Sequence, residues 1–238
     1  WNCGGDLTYR WVSTNNGTSF GTPVLIGSGF SNEGHGTWLD DLGIFVGVSG
    51  SRVKAMDAAT GGNGFSYASG GTYAYEPEVV RVPGTNKLVA AVNNLGAVKY
   101  ANYNGVFTTV AGMNNVTNWT IDRTLTSPEG SNSETSLSSG PAGVYLAYKT
   151  TEPGNDHLSI RRLDEPSATF GGPTRVEGPD PIDNDVDYPD STQDAAGRLH
   201  FVWRSLYDGG RLRYRATGPA GSGLGPVGNL ALRESFYD

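Results

Sequence analysis

Apolar and polar residues alternate along most of this 238-residue chain. Short apolar runs such as "LGIFVGVS", "KLVAAV", "GVYLAYK" and "LHFVWRS" are separated by Gly, Pro, Asn and Asp, and a period of two is typical of strands. No Gly-free stretch of about ten residues places apolar side chains at the i, i+3, i+4 and i+7 spacing of a helix. The pattern therefore predicts an all-β protein.

The apolar runs recur as a phrase of four strands, and self-similarity at a period of roughly 40 to 50 residues is typical of propellers. Four full phrases follow a partial one, and "ESFYD" at the end resembles a first strand. Because a radial array closes by pairing strands from its two ends, we predict one β-propeller domain of four-stranded antiparallel blades, with five blades or as part of a six-bladed propeller. The predicted blades within the single domain 1–238 are 1–28 (partial), 30–70, 72–113, 132–178, 186–230 and 234–238 (start of the closing blade).

The second full phrase is followed by a long polar segment. We predict its fourth strand in "VFTTVAG", residues 106–112, and a long connection in "TNWTIDRTLTSPEGSNS", residues 117–133. Long ordered loops often carry binding functions, and Trp119 is the expected anchor of this one.

One early turn follows the pattern Ser-x-Asn-x-Gly-x-x-Phe, with Ser13, Asn15, Gly17 and Phe20. It resembles the Asp-box (Ser-x-Asp-x-Gly-x-x-Trp) of sialidase-like, BNR-repeat β-propellers, and a weaker copy ends at Phe170. The resemblance implies a structural turn between the third and fourth strands of a blade. Asn15 is then expected to bond nearby backbone, Gly17 to take a positive φ, and Phe20 to fill the space between strands.

The same resemblance implies which residues meet at the central channel, because first strands begin and second strands end on one face. Starts of first strands contribute acidic and aromatic side chains, with His35 and Glu33 in the first full blade, and ends of second strands contribute polar and basic ones. The predicted ligand-binding residues are Glu76, Glu78, Asn93, Glu134, Lys149, Tyr188, Asp190, Arg204 and Tyr237.

Carboxylates, amides and aromatic rings at one concavity suit a polar ligand such as a sugar. The three arginines and the Tyr–Glu nucleophile pair of a sialidase are not matched, since only Arg204 falls on this face. We expect an extracellular or secreted propeller that recognises a glycan or glycoconjugate without catalysis. Two alternatives stay open: a glycoside hydrolase whose acid and base come from Glu76, Glu78, Glu134 and Asp190, and a protein-interaction platform.

Charge and composition narrow the partners. The net charge of −7 disfavours nucleic acid and anionic membranes, and no apolar run approaches the roughly 18 residues of a membrane span. The chain begins at Trp1, so we expect a mature form or part of a larger chain or assembly. No cofactor is required, although the alternating Asp183, Asp185 and Asp187 could offer oxygen ligands to Ca²⁺, or form only a solvated acidic loop.

Overall fold

The computed structural model confirms the all-β prediction in the part of the chain that it describes. These residues are 7–10, 18–22, 24–28, 34–57, 64–69, 74–94, 96–125, 131–152, 155–177, 186–205 and 210–230. They form four antiparallel sheets and one two-stranded pair, in the arrangement of β-propeller blades.

Each sheet is an up-and-down series in chain order. The two-stranded pair joins β1 (Leu7–Arg10) and β2 (Val24–Ser28). Sheet A contains β3 (Gly34–Leu39), β4 (Ile44–Ser49), β5 (Arg52–Met56) and β6 (Phe65–Ser66). Sheet B contains β7 (Ala74–Arg81), β8 (Leu88–Asn94), β9 (Ala97–Tyr103) and β10 (Trp119–Thr124).

Sheets C and D complete the set. Sheet C contains β11 (Ser131–Gly140), β12 (Gly143–Glu152) and β13 (Asn155–Asp164), with β14 (Thr169–Phe170) and β15 (Thr174–Arg175) both pairing with β13. Sheet D contains β16 (Val186–Gln193), β17 (Leu199–Ser205), β18 (Arg211–Ala216) and β19 (Gly228–Asn229).

Helical structure in the described ranges is confined to short turns. They are α1 (Val110–Met113) and the 3₁₀ turns Val116–Asn118 and Pro219–Gly221. None of these helices has the length and apolarity to cross a membrane.

Apolar side chains fill the spaces between neighbouring sheets. In sheet B, Leu88 packs into the core shared with sheet A, whereas the next residue, Val89, packs into the core shared with sheet C. A third apolar cluster, which includes Trp203, lies between sheets C and D. Burial on both faces explains why β4, β8 and β12 are nearly continuous apolar runs. In β17, by contrast, buried and half-buried residues alternate.

Three of the four first strands carry a β-bulge at the same position in the register. In each bulge two residues of the first strand stand opposite one residue of the second strand. The first bulged residue has a left-handed backbone in all three: Glu76 (φ 51°), Glu134 (φ 46°) and Tyr188 (φ 47°). Such φ values are uncommon outside glycine, and a bulge of this kind turns a side chain away from the regular pleat.

The fourth strand of sheet B corrects two expectations. It is β10 (Trp119–Thr124), not residues 106–112, which contain α1 instead. Trp119 is a core residue rather than a loop anchor: its ring lies 5.6 Å from Phe65 and 5.2 Å from Tyr103, and its Nε1 donates to the Met113 carbonyl at 2.8 Å. The apolar content of 106–112 resembled a strand, but the Thr109 side chain caps Gly112 N and begins a helical turn there.

The Asp-box prediction is met only in part. The segment lies between β1 and β2, which pair as expected of third and fourth strands, but Ser13, Asn15 and Gly17 lie outside the described residues. Phe20 is 62% exposed, so its ring does not fill the space between strands. This part of the prediction is wrong.

Two tryptophans that differ in burial test the role of β10. Trp119 is 6% exposed and Trp38 is 54% exposed, so we expect Trp119→Ala to lower the free energy of unfolding by about 3 to 5 kcal/mol. Trp38→Ala, the matched control, should lower it by about 0.5 kcal/mol or less. Urea unfolding followed by circular dichroism measures both. Equal losses would contradict the assignment of Trp119 to the core.

Candidate functional site

A cavity of about 360 Å³ lies where the first strands of the four sheets meet. Four of the residues predicted to bind a ligand line it, together with His35. The lining residues are Gly34, His35, Glu76, Pro77, Glu78, Thr135, Tyr188, Pro189 and Asp190. The structure therefore brings together side chains that are up to about 150 positions apart in sequence.

Neighbouring first strands contact each other, yet no backbone ladder joins them, since each is the edge strand of its own sheet. Side chains form the links instead. At one level of the register, a side chain from each first strand accepts a hydrogen bond from the backbone N–H of the next. The three links are Val79 N to His35 Nδ1 (3.4 Å), Leu137 N to Glu78 Oε2, and Ser191 N to Ser136 Oγ (3.0 Å).

The bulged residues form a second level of links. Glu76 Oε2 accepts from Thr135 N at 3.1 Å, and the Thr135 hydroxyl donates to the Glu76 carbonyl at 2.9 Å. Glu134 Oε2 accepts from Tyr188 N at 2.7 Å. Tyr188 occupies the third bulge, but its side chain is 64% exposed.

The carboxyl groups of the cavity do not ionise alike. Burial raises the pKa of Glu78 from an ordinary value of 4.5 to about 8; the Leu137 N–H opposes the rise, and the charges of Asp190 and Glu76 add to it. At pH 7 the Glu78 carboxyl is therefore mainly protonated. Burial also lowers the pKa of His35, which keeps its imidazole neutral and able to accept through Nδ1.

The two predicted cations, Lys149 and Arg204, lie beside the cavity and not among its lining residues. Lys149 Nζ is 3.0 Å from Asp156 Oδ2, 3.4 Å from Glu134 Oε1 and 3.5 Å from Asp187 Oδ1. Burial lowers the pKa of Lys149, but the hydrogen bond that its ammonium donates to Asp156 and the three acidic charges outweigh burial and raise the pKa overall. Lys149 is thus neutralised by carboxylates.

Arg204 shares this network. It forms an ion pair with Asp187, and its guanidinium carbon lies 5.1 Å from the centre of the Tyr188 ring. Asn93 occupies the same register position in sheet B, opposite Tyr75, and it too is not a lining residue. The second-strand ends therefore meet close to the cavity without forming its wall, and their role in ligand binding stays a prediction.

The calcium prediction rests largely on residues outside the described ranges, namely Asp183 and Asp185; Tyr237 is outside them as well. Asp187 is described, and it is paired with Lys149 and Arg204. Among the described residues no group of three or more His, Cys, Asp or Glu side chains is arranged to hold a metal ion. Calcium binding stays a prediction.

The raised pKa of Glu78 predicts how stability depends on pH. The unfolded chain loses this proton near pH 4.5, whereas the folded chain keeps it up to about pH 8. The contribution of Glu78 is therefore complete below about pH 4.5 and is lost as the pH rises to 8, by at most about 1.4 kcal/mol per pH unit. Glu78→Gln should remove this decline, whereas Glu165→Gln, at an exposed position, should keep it. Urea unfolding at several pH values measures the difference; parallel curves for wild type and Glu78→Gln would refute the assignment.

Comparisons with known proteins support the fold. No protein-family model matches the chain, and no curated protein matches it either. Among solved structures, an exo-β-1,3-galactanase from Phanerochaete chrysosporium, crystallised with β-1,3-galactotriose, is 10% identical over 86% of this chain and 51% of its own, with a TM-score of 0.54. A protein from Lactobacillus plantarum is 11% identical over 96% of this chain and 68% of its own, with a TM-score of 0.53. The chain thus spans about half of the galactanase structure, and at these identities the likeness is one of fold.

Proposed function

We propose that the cavity at the first strands is a carbohydrate-binding site. The observation that carries this proposal is the meeting of carboxyl groups and one exposed tyrosine ring in a single cavity of about 360 Å³. Carboxyl oxygens accept hydrogen bonds from sugar hydroxyls, and an aromatic ring covers the apolar face of a pyranose. Glu76, Asp190 and Tyr188 have these roles in the proposal.

The comparison with the galactanase supports the same class of ligand. That protein was crystallised with a β-1,3-linked galactose trisaccharide, and its fold resembles this one. We propose an extracellular or secreted setting for the chain, as expected from the sequence. Carbohydrate binding is also the function that we propose this chain contributes to any larger parent chain.

Binding is tested on a glycan array with wild type and the double variant Glu76→Gln/Asp190→Asn. Glutamine keeps an oxygen that accepts from Thr135 N, so the double variant should fold. We expect wild type to bind one group of glycans and the double variant to bind them at least about tenfold more weakly, because two charge-assisted hydrogen bonds to hydroxyls are lost.

Glu165→Gln serves as the control for a change of charge at an exposed position and should bind like wild type. Circular dichroism confirms that each variant is folded. If wild type binds no glycan, or if the double variant binds with unchanged affinity, the cavity is not the proposed site.

Hydrolysis of a glycosidic bond is a second candidate, and the state of Glu78 favours it. A carboxyl group with a pKa of about 8 holds a proton at neutral pH, next to Asp190 in the same cavity. Such a pair is typical of glycosidases, in which the acid protonates the leaving oxygen and the carboxylate activates a water. In this candidate Glu78 donates the proton, and Asp190 accepts the proton from the water that attacks the anomeric carbon.

Released sugar is assayed with the glycans that bind on the array. If the chain is a hydrolase, Glu78→Gln should lower the rate of release by about 100-fold or more, since general acid catalysis contributes that much, while glycan binding is retained. If wild type binds glycans but releases no sugar, hydrolysis is excluded and carbohydrate binding without catalysis remains. Release that is unchanged in Glu78→Gln would exclude Glu78 as the acid.

A further inference from the structure

We infer that the cavity prefers a sugar that carries a protonated amine, with its ring on Tyr188 and its ammonium group on Asp190. This inference rests on the proposed function and specifies its ligand. The chemical class is an amino sugar whose amine is not acetylated, such as a glucosamine oligomer.

Tyr188 departs from a structural role that is repeated at the other two bulges. At the other two bulges, the left-handed residue is a glutamate whose carboxylate accepts the N–H of the next first strand: Glu76 from Thr135 and Glu134 from Tyr188. Tyr188 has the same backbone conformation, at φ 47°, which is an unfavourable conformation for a bulky residue. Within the described residues its side chain makes no such link, and Tyr188 is 64% exposed in the cavity wall.

Tyr188 is also held in place from two sides. Its N–H donates to Glu134 at 2.7 Å, and the Arg204 guanidinium stands over its ring at 5.1 Å. The backbone is fixed and the ring is oriented, so the exposed part of the ring forms a preorganised surface. A surface of this kind binds the apolar face of a sugar at little entropic cost.

The carboxylate of Asp190 has one oxygen that faces no described hydrogen-bond donor. Only one of its oxygens is used within the described residues: Oδ1 accepts from the Ser136 hydroxyl at 3.0 Å and from Ser191 N at 2.7 Å. Asp190 is exposed and lines the cavity two residues from Tyr188. No described residue bonds to its Oδ2, which can therefore accept from a ligand or from water.

No cation among the described lining residues balances Asp190. These residues include no lysine or arginine, and the nearby Lys149 and Arg204 are paired with Asp156, Glu134 and Asp187. His35 Nδ1 accepts from Val79 N at 3.4 Å, which needs an unprotonated nitrogen, and burial lowers the pKa of the ring; both favour the neutral imidazole. An anionic sugar would therefore meet an uncompensated carboxylate, whereas an ammonium group would neutralise it.

The test compares two trisaccharides that differ only in their amines: the glucosamine trimer and its fully N-acetylated form. Both affinities are measured by isothermal titration calorimetry at pH 6. Salt at about 0.15 M NaCl screens the non-specific attraction of the amines to the acidic chain. We expect wild type to bind the glucosamine trimer about tenfold more tightly, as one charge-assisted hydrogen bond implies.

Variants separate the named residues from net charge. Asp190→Asn should bring the two affinities to within about twofold of each other, and Glu165→Gln, which removes one charge elsewhere, should keep the tenfold preference. Tyr188→Ala should lower the affinity for both trimers by about tenfold. Tyr188→Phe should leave both affinities unchanged, because ring stacking needs no hydroxyl.

The results separate the preference for an amine from carbohydrate binding as such. Equal or tighter binding of the acetylated trimer by wild type overturns the amine preference and leaves carbohydrate binding intact. A preference that survives in Asp190→Asn but falls in Glu165→Gln also overturns it, since bulk charge is then the cause. If wild type binds neither trimer nor any glycan on the array, the carbohydrate site itself is refuted.

Discussion

Each of the four described first strands is the edge strand of its sheet and faces the cavity, and the rest of the arrangement follows from this. In each of the four sheets the first strand pairs with a neighbour on one side only, so the N–H groups on its other side need partners from outside the sheet. Side chains of the preceding first strand supply partners at one level of the register for β7 and at two levels for β11 and β16. The acidic and polar residues around the cavity therefore hold neighbouring sheets together before they serve any ligand.

This structural role explains the electrostatics of the site. Glu78 is fixed by the Leu137 N–H beneath the surface of the cavity, where burial and the charges of Asp190 and Glu76 favour its protonated form. The bulges likewise direct the carboxyl groups of Glu76 and Glu134 to backbone N–H groups of the next first strand. What remains for a ligand is what these links do not use, and that is chiefly the ring of Tyr188 and one oxygen of Asp190.

Much of this arrangement could be predicted from the sequence. The strand phrase follows from a period of two and a repeat, and the resemblance to sialidase-like propellers implies that first-strand starts lie on one face. Glu76, Glu78, Tyr188 and Asp190 line one cavity as the blade pattern indicated. The pairing of Lys149 and Arg204 with acidic neighbours could not be predicted, since it depends on distances across two sheets. The bulges were not predicted from the sequence, although a proline directly follows the bulged residue at both Glu76 and Tyr188. Trp119 was misplaced because one short helical turn displaced the fourth strand beyond the expected repeat length.

Amide chemical shifts show whether a sugar enters this cavity. Wild type labelled with ¹⁵N would be titrated in turn with β-1,3-galactotriose and the glucosamine trimer. We expect shifts at the amides of Thr135, Leu137 and Tyr188, whose N–H groups bond to Glu76, Glu78 and Glu134 in and beside the cavity. Shifts confined to outer turns such as that of Gly84, or no shifts with either sugar, would contradict carbohydrate binding in this cavity.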